Sequence, residues 1–381
     1  MKRITRVALA VAVVSLLFAC GPAAPKTVKF GVFEPLTGAN AGGGALEVEG
    51  VKLANELYPT VKVGDKEYKI ELVISDNKSD KVEAANAAQR LVDKDKIHVM
   101  LGSWGSSLSM AAGPIVKQAK TPAIGLSCTN PLVTKGNEFY FRVCFLDPFQ
   151  GTVMANYAFK EAQAKKAVII REVSNDYSVG LAKFFSDAFK QLTADEGAIL
   201  AELNYNTGDT DFAAQLTEIK KFKPDVIFAP GNFTESALIV KQARELGIKT
   251  PFLGGDTWET PEFLDVGKEA VEGVVFSTFF ATEVPLTDNS KVFLDAYRQK
   301  YNKEPAAVTA LGFDGYLVAK AAIEKAQSID KVKIRDAIAE TKDFPGATGI
   351  ITLDAEGDAV KSAVIKTVKG GAFTYLTTVN P

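Results

Sequence analysis

The amino-acid sequence predicts an α/β protein with parallel β-sheets that are covered by helices on both faces. Short apolar runs that fit buried strands alternate with longer segments of helical periodicity, and this alternation is typical of parallel sheets. The series of strand, polar turn and helix occurs twice, before and after a turn at residues 146–151. The chain has 381 residues, of which 47% are hydrophobic and 24% charged. It is therefore long enough for two such units.

The first series of elements extends to about residue 145. Its predicted strands are short apolar or alternating runs that end in Gly, Pro, Asn or Asp, and its predicted helices carry apolar residues three and four positions apart. The predicted strands are residues 28–32, 68–75, 97–101, 122–124 and 139–145, and the predicted helices are residues 45–57, 81–93 and 110–120.

The second series follows the same rules. Its predicted strands are residues 167–172, 198–204, 225–229 and 251–253, and its predicted helices are residues 152–163, 176–193, 211–222 and a segment ending at 246. A β-rich run at 273–280 is followed by predicted helices at 289–301 and 306–326. The last segment contains strands with hairpin signals at 354–358 and 370–371.

Two turns rich in small and hydroxyl residues distinguish the stretch from 101 to 131. The first turn, 102–107, follows one predicted strand, and the second, 125–131, follows the next. Ligands of open α/β sheets bind outside the carboxyl ends of the strands. The two turns are therefore predicted to bind a small polar molecule.

The first residues resemble an export signal. Three basic residues within the first six precede an apolar run at 7–17 that is too short to span a bilayer. The sequence Leu-Phe-Ala-Cys then ends at Cys20, as in bacterial lipoprotein signals. We expect residues 1–19 to be a signal peptide and residues 20–26 a lipidated tether; a secretory signal with a chance cysteine is the alternative.

Charge and composition exclude several classes of protein. The formal net charge is −2, with no basic stripe of the kind that nucleic-acid binding needs. His98 is the only histidine, and the cysteine spacing fits no zinc site, so no metal or other cofactor is predicted. Cys128 and Cys144 are left in an oxidising compartment, where a disulfide or two free thiols are equally compatible with the sequence.

No enzyme motif is present. The sequence lacks a phosphate-binding P-loop, a dinucleotide fingerprint and a nucleophile elbow. A single histidine also excludes most Ser-His-Asp and Cys-His catalysis. The sequence therefore predicts a binding protein and not an enzyme.

The residue types in the turns suit a zwitterion. Hydroxyls and turn N–H groups at Ser106, Ser127 and Thr129 suit a carboxylate, and Asp256 follows two glycines at a strand end, where its charge suits an ammonium. The alternative is that these side chains only cap the following helices. Aromatic residues are candidates for the walls of the site, although Trp104 also fits a core position. The aromatic candidates are Trp104, Tyr177, Phe233 and Trp258.

At this point the sequence resembles a known family, the type I periplasmic binding proteins of the leucine/isoleucine/valine-binding kind. These are the solute receptors of branched-chain amino acid ABC importers, and the resemblance covers residues 27–375. It is carried by the order and spacing of Phe30-Gly31-Val32, Pro35-Leu36-Thr37-Gly38, Leu101-Gly102, Ser106-Ser107, Ser127-Cys128-Thr129-Asn130-Pro131, Phe141-Arg142-Val143-Cys144-Phe145, Asp147-Pro148-Phe149-Gln150-Gly151, Asn175-Asp176-Tyr177-Ser178, Asp209-Thr210-Asp211-Phe212 and Gly254-Gly255-Asp256-Thr257-Trp258.

The resemblance implies two Rossmann-like lobes with parallel sheets, joined by a three-strand hinge and closing on the ligand. The crossovers are expected near Leu146, Ser277 and Gly349. The implied lobes are residues 27–146 with 278–349, and residues 147–277 with 350–381.

The resemblance also implies roles for single residues. Ser106 and Thr129 are expected to bind the α-carboxylate of an amino acid. The backbone carbonyl of Ser127 and the carboxylate of Asp256 are expected to bind its ammonium. Tyr177 is the expected aromatic residue of the closing lobe.

The chain departs from the family pattern at three places. The family's leucine binders often have a tyrosine in the segment that is here 40–44, and another near Asn232, which is followed here by Phe233. The family's disulfide has no counterpart, since Asn77 and Gly105 occupy its positions. These departures leave the expected recognition of an amino-acid head group intact, but they affect the pocket for the ligand's side chain. A branched-chain side chain is the leading candidate for that pocket.

The function expected from the sequence is that of a solute-binding lipoprotein. It would be a monomer on the periplasmic or extracellular face of a membrane, held by the lipid on Cys20, and would deliver an amino acid to an ABC permease with its ATPase subunits. The alternatives are a ligand-sensing receptor subunit and a binder of a small amide, urea-like compound or aromatic acid on the same fold.

Overall fold

The structure is a computed structural model that describes residues 26–381. The predicted signal peptide, the predicted lipidation site Cys20 and nearly all of the predicted tether lie outside the described residues.

The first sheet has six strands. They are β1 (Thr27–Glu34), β2 (Thr60–Val63), β3 (Lys66–Asp76), β4 (Val99–Leu101), β5 (Ala123–Gly125) and β6 (Tyr140–Arg142). Their order is β2-β3-β1-β4-β5-β6, and all neighbours are parallel except β2 and β3. The helices between them are α1 (Ala41–Leu57), α2 (Lys81–Asp93) and α3 (Ser106–Gln118).

Both faces of this sheet are buried. Val99 and Leu101 of β4 contribute to the larger apolar cluster, and Met100, between them, contributes to a separate one. Since neighbouring residues of a strand point to opposite faces, both faces carry a core. This explains why the strands are continuous apolar runs in the sequence.

The second sheet has seven strands in the order β15-β14-β11-β10-β9-β7-β8. They are β7 (Ala167–Glu172), β8 (Ile199–Tyr205), β9 (Val226–Phe228), β10 (Phe252–Gly254), β11 (Val275–Thr278), β14 (Ala363–Lys369) and β15 (Ala372–Val379). Strands β14 and β15 are antiparallel additions to a parallel sheet. The helices of this part are α4 (Asp147–Asn156), which continues as a π-helix at Tyr157–Glu161, α5 (Asp176–Thr193), α6 (Ala213–Phe222), α7 (Phe233–Glu245) and α8 (Pro261–Gly267).

After β11 the chain returns to the first sheet. It forms α9 (Asp288–Tyr301), α10 (Ala307–Ala326), α11 (Lys331–Ala339) and a small hairpin of β12 (Phe344–Gly346) and β13 (Gly349–Ile351). Helix α10 packs closely on α1: a Cβ at Gly312 would lie 2.2 Å from the carbonyl oxygen of Glu47, and one at Gly50 would lie 1.9 Å from that of Thr309. Only glycine permits this approach of two backbones.

The predicted fold class is confirmed, and so are most of the predicted elements. The exact residue limits of the two lobes stay a prediction. Strands β2 and β12 and helices α8 and α11 were not predicted, because they are short and lack clear periodicity. Helices α1 and α3 begin about four residues earlier than predicted, since their first turns contain small residues that carry no apolar signal.

The two cysteines of the described chain do not form a disulfide. Cys128 and Cys144 are buried free thiols, and burial raises the pKa of Cys128 to about 11. The two side chains belong to separate apolar clusters. The disulfide alternative is therefore contradicted by the structure.

His98 has a structural role, as expected from its place in an apolar run. Its Nδ1 accepts a hydrogen bond from the backbone N–H of Lys29 at 3.0 Å. Burial lowers the pKa of the imidazole, which therefore stays neutral at pH 7.

Candidate functional site

A cavity lies between the two sheets, where the turns after five parallel strands meet. Its volume is about 240 Å³, including space that opens to solvent. The turns follow β4 and β5 in the first sheet and β7, β9 and β10 in the second. The residues that line it are Trp104, Gly105, Ser106, Ser127, Asn175, Tyr177, Asn232, Asp256 and Thr257.

Ser106 contributes a hydroxyl donor on the first wall. Gly105 has a φ of +88°, a conformation that glycine adopts readily, and it turns the chain so that Ser106 begins helix α3. The Ser106 Oγ accepts a hydrogen bond from the backbone N–H of Asn130 at 3.1 Å. Because that bond uses a lone pair, the hydroxyl proton is left for a group in the cavity.

Buried Arg142 holds the second turn, which carries Ser127, in place. Its guanidinium donates to the backbone carbonyls of Cys128 and Asn130 at 2.5 and 3.0 Å, and its Nε lies 2.6 Å from the carboxylate of Asp358. Donors in a planar fork suit two carbonyls of one turn. This contact keeps Ser127 at the edge of the cavity.

Trp104 occupies the place that the glycine-rich segment leaves open. A Cβ at Gly43 would lie 2.3 Å from the indole ring, so a larger side chain cannot occupy this position with the ring as it is. The ring also packs edge-to-face against Phe233 of the other lobe, with centroids 6.1 Å apart. Trp104 therefore fills the space beside the glycine-rich segment.

Asp256 presents one free carboxylate oxygen on the opposite wall. Its Oδ1 accepts hydrogen bonds from Gln150 Nε2 at 2.7 Å and from the Tyr177 hydroxyl at 2.9 Å. Gln150 is itself held by Ser277 Oγ at 2.9 Å. Burial raises the pKa of Asp256 to about 6, and the two donors act against that rise. The side chain is therefore fixed and mainly ionised at pH 7, with Oδ2 available to a cation.

Direct contacts join the two lobes around the cavity. Asn232 Nδ2 donates to Asn40 Oδ1 at 3.0 Å. Ser107 Oγ donates to Asp176 Oδ2 at 2.8 Å and lies 3.0 Å from the backbone nitrogen of the same residue, and Lys81 Nζ lies 2.9 Å from that carboxylate. The structure thus shows the lobes closed on each other.

Most of the predicted binding residues meet at this cavity. Those that line it are Trp104, Ser106, Ser127, Tyr177, Asn232 and Asp256. Their binding roles stay predictions.

Three of the predicted residues do not line the cavity. Thr129 is fully buried, with no hydrogen-bond partner for its hydroxyl. Phe233 lies behind Trp104. Trp258 stacks on Phe263 in the core of the second lobe at 4.9 Å, because the short helix that directs Asp256 into the cavity turns residue 258 away from it.

Sequence reasoning missed several residues of the site. Asn175 and Thr257 line the cavity, and Gln150 positions Asp256. Asn175 caps helix α5 by accepting from the Tyr177 N–H at 3.1 Å, so a helix N-cap pattern was an available signal. Gln150 gave no such signal, since its partners lie 106 and 127 residues away.

The described part of the chain offers no metal centre. Across residues 26–381, no group of three or more His, Cys, Asp or Glu side chains is arranged to hold a metal ion. In the same range no helix combines the length and the apolar character that a membrane span requires.

The fold and the cleft define a two-lobe receptor with a ligand cavity between its lobes. A sequence model of the family described as periplasmic binding protein matches residues 27–372, and the chain belongs to this family. The proteins of the family that it resembles are solute-binding proteins, which agrees with the prediction that the chain is not an enzyme.

Several relatives are similar over nearly the whole chain. The Leu/Ile/Val-binding protein BraC3 of Rhizobium johnstonii is 30% identical over 350 residues, which are 91% of this chain and 92% of the relative. The crystal structure of a leucine binding protein, LivK, from Thermotoga maritima matches with a TM-score of 0.89 at 43% identity, covering 93% of this chain and 99% of that one.

A further solved structure is a complex with a ligand. It is the branched-chain amino acid transporter substrate binding protein LivJ from Streptococcus pneumoniae, in complex with isoleucine. The match has a TM-score of 0.86 at 35% identity and covers 93% of this chain and 100% of that one. The predicted family and fold are therefore confirmed, and the chain is a substrate-binding protein of the ABC transporter type.

Proposed function

We propose that this chain is the extracytoplasmic solute-binding lipoprotein of an ABC importer, and that it captures a branched-chain amino acid between its lobes. The observation that carries this proposal is the arrangement of opposite polarities across one small cavity. Ser106 offers a hydroxyl proton on one wall, and Asp256 offers a carboxylate oxygen on the other. An α-amino acid has complementary charges on a single carbon.

Closure follows from contacts on both walls. The first lobe would bind the α-carboxylate through Ser106, and the second would bind the ammonium through Asp256, with Tyr177 holding that carboxylate in place. A ligand shifts the open and closed populations only by its differential affinity for the two states. A zwitterion that reaches both walls has a higher affinity for the closed form, because its contacts with the second lobe exist only in that form.

The relatives support the side-chain class. BraC3 is named for leucine, isoleucine and valine, and the solved relatives are a leucine binding protein and an isoleucine complex. The export signal and the Leu-Phe-Ala-Cys sequence support a lipid anchor on Cys20. An ABC permease and its ATPase subunits are the partners that this role requires.

A thermal-shift screen with matched ligands tests the proposal. A ligand at a hundredfold excess over its Kd stabilises the native state by about 2.7 kcal/mol. We expect such a shift with L-leucine, L-isoleucine or L-valine. We expect none with 4-methylpentanoate or 3-methylbutylamine, which keep the leucine side chain but lack the amino or the carboxylate group.

Three outcomes would contradict the proposal. If none of the α-amino acids raises the melting temperature, the ligand is not an α-amino acid. A thermal shift with urea, a small amide or benzoate would assign the cavity to a different solute. An equal shift with 4-methylpentanoate would show that Asp256 does not recognise an ammonium.

A further inference from the structure

Two carboxyl groups lie buried and side by side behind the first wall of the cavity. They belong to Glu34, at the end of β1, and Glu47, in α1, and both are fully inaccessible to solvent. Glu34 Oε2 accepts a hydrogen bond from the backbone N–H of Trp104 at 2.7 Å. Neither oxygen of Glu47 receives a hydrogen bond of normal geometry. Neither group belongs to an ion pair within residues 26–381, where only carboxyls, thiols and neutral groups influence them strongly.

This arrangement favours one proton shared by the pair. Two carboxylates in contact and away from water cannot both ionise without a large cost. Burial and the neighbouring Glu47 raise the pKa of Glu34 well above its usual value. Burial also raises the pKa of Glu47 to about 7. Glu34 is therefore the member that binds its proton more strongly, and Glu47 is the member that titrates near neutral pH.

The pair reaches the cavity through Ser127. The Ser127 hydroxyl lies beside the Glu47 carboxyl and favours its ionised form, and Ser127 lines the cavity. The charge of Asp256, across the cavity, opposes ionisation of Glu47. Glu47 therefore responds to charge inside the cavity, and a cation bound there would act in the opposite direction to Asp256.

We propose that Glu47 is a positioning residue for Ser127 and that it releases a proton to solvent when a ligand with an ammonium group enters the cavity. Ionised Glu47 accepts a hydrogen bond from the Ser127 hydroxyl, so that the lone pairs of the Ser127 oxygen face the ammonium. The two serines of this wall thus have opposite roles: Ser106 donates a hydrogen bond to an anion, and Ser127 accepts one from a cation. This inference rests on the proposed function, because it needs a ligand with an ammonium.

The inference sets the sign of a pH dependence. An ammonium near Glu47 lowers the pKa of that carboxyl in the complex, so the free protein holds more protons than the complex. Affinity then rises with pH up to the free pKa of about 7 and is constant above it; below it, affinity falls by at most tenfold per pH unit. The other titratable groups near the cavity are Asp147, with a pKa of about 8, and Asp256, with a pKa of about 6.

Calorimetry with L-leucine at pH 7, in phosphate and in MOPS, measures the protons released. We expect the wild-type chain to release a measurable fraction of a proton, since burial raises the pKa of Glu47 to about 7. Glu47→Gln should abolish this release and weaken binding at pH 8. In a Ser127→Ala background, Glu47→Gln should cost less affinity than it does in the wild type, because part of its effect passes through that hydroxyl. His98→Gln, which changes a distant titratable group, should leave the release unchanged.

Three results would overturn the inference. They are an unchanged proton release in Glu47→Gln, a release lost in Asp147→Asn instead, and additive losses in the double variant. Glu34→Gln provides a second test if Glu47→Gln does not fold, since the amide keeps a neutral hydrogen-bond donor beside Glu47. This variant should release protons as the wild type does, and a lost release would show that Glu34 is the group that titrates.

A ligand-free measurement separates this inference from the proposed function. If wild-type protein gives no heat with L-leucine at any pH, the ligand assignment fails. Infrared titration of the free protein then decides the state of Glu47. A protonated-carboxyl band should lose intensity between pH 6 and 8 in the wild type, and this loss should be smaller in Glu47→Gln. Identical titrations of the two proteins would overturn the inference.

Discussion

At the scale of single residues, the site depends on how each polar atom is already used. The Ser106 oxygen has accepted one bond, which leaves a donor, whereas one oxygen of Asp256 has accepted two, which leaves an acceptor. Residue type alone predicted hydroxyls and a carboxylate near one another. The direction in which each can bond came from partners that are distant in sequence.

Removing the charge of Asp256 should strongly weaken ligand binding. We expect Asp256→Ala to cost about 2–5 kcal/mol, because the ligand's ammonium would be buried without a partner. Isothermal titration calorimetry with L-leucine measures this cost. Asp265→Ala, at an exposed position of α8, is the matched control and should bind normally. Equal affinities of both variants would exclude Asp256 from the site.

At the scale of elements, the contact of α1 with α10 connects the framework to the site. Glu47 lies in α1, and its backbone carbonyl faces Gly312 of α10. The position of Glu47 therefore depends on packing against α10, a helix that follows most of the second lobe in the sequence. The glycine pair at this contact had no signal in the sequence, where glycine in a helix only reduces helix propensity.

A methyl group at Gly312 should separate the two helices. Its Cβ would lie 2.2 Å from a backbone oxygen, which cannot rotate away. We expect Gly312→Ala to reduce the free energy of unfolding by about 1–3 kcal/mol, as measured by urea denaturation. Gly113→Ala in α3 is the control, since its Cβ would meet only a side-chain nitrogen at 3.4 Å. A smaller loss for Gly312→Ala than for the control would refute this packing argument.

At the scale of the whole molecule, the two lobes contact each other through polar groups at helix N-termini. Ser107, in the first turn of α3, meets Asp176, the first residue of α5. Polar contacts of this kind exchange readily with water, so the interface can open and close. In the structure the two lobes are therefore held together by a few hydrogen bonds and by the contact of Trp104 with Phe233.

Loss of the Asp176 carboxylate should favour the open form. Asp176→Ala removes its bonds to Ser107 and Lys81, and we expect ligand binding to weaken by about 1 kcal/mol, or roughly fivefold in Kd. Titration calorimetry checks the affinity, and small-angle scattering checks that the ligand-free molecule is more open. Asp187→Ala, on the solvent side of α5, should change neither quantity. Wild-type affinity in Asp176→Ala would show that this contact does not contribute to closure.

The sequence by itself determined the fold class, most helices and strands, and the two hydroxyl-rich turns. These features follow from local periodicity and from small residues at strand ends, which need no knowledge of distant parts of the chain. It also indicated Asp256 and Tyr177, through their place in turns after predicted strands.

Only the tertiary structure decided which of these groups meet and in which direction they bond. It buried Trp258, left Cys128 and Cys144 as free thiols, placed Trp104 over Gly43, and brought Gln150 to Asp256. It also placed Glu47 behind Ser127, without an ion-pair partner among residues 26–381. Each of these facts depends on contacts between segments far apart in sequence, and burial of a charge acquires its energetic meaning only when the surrounding side chains are known.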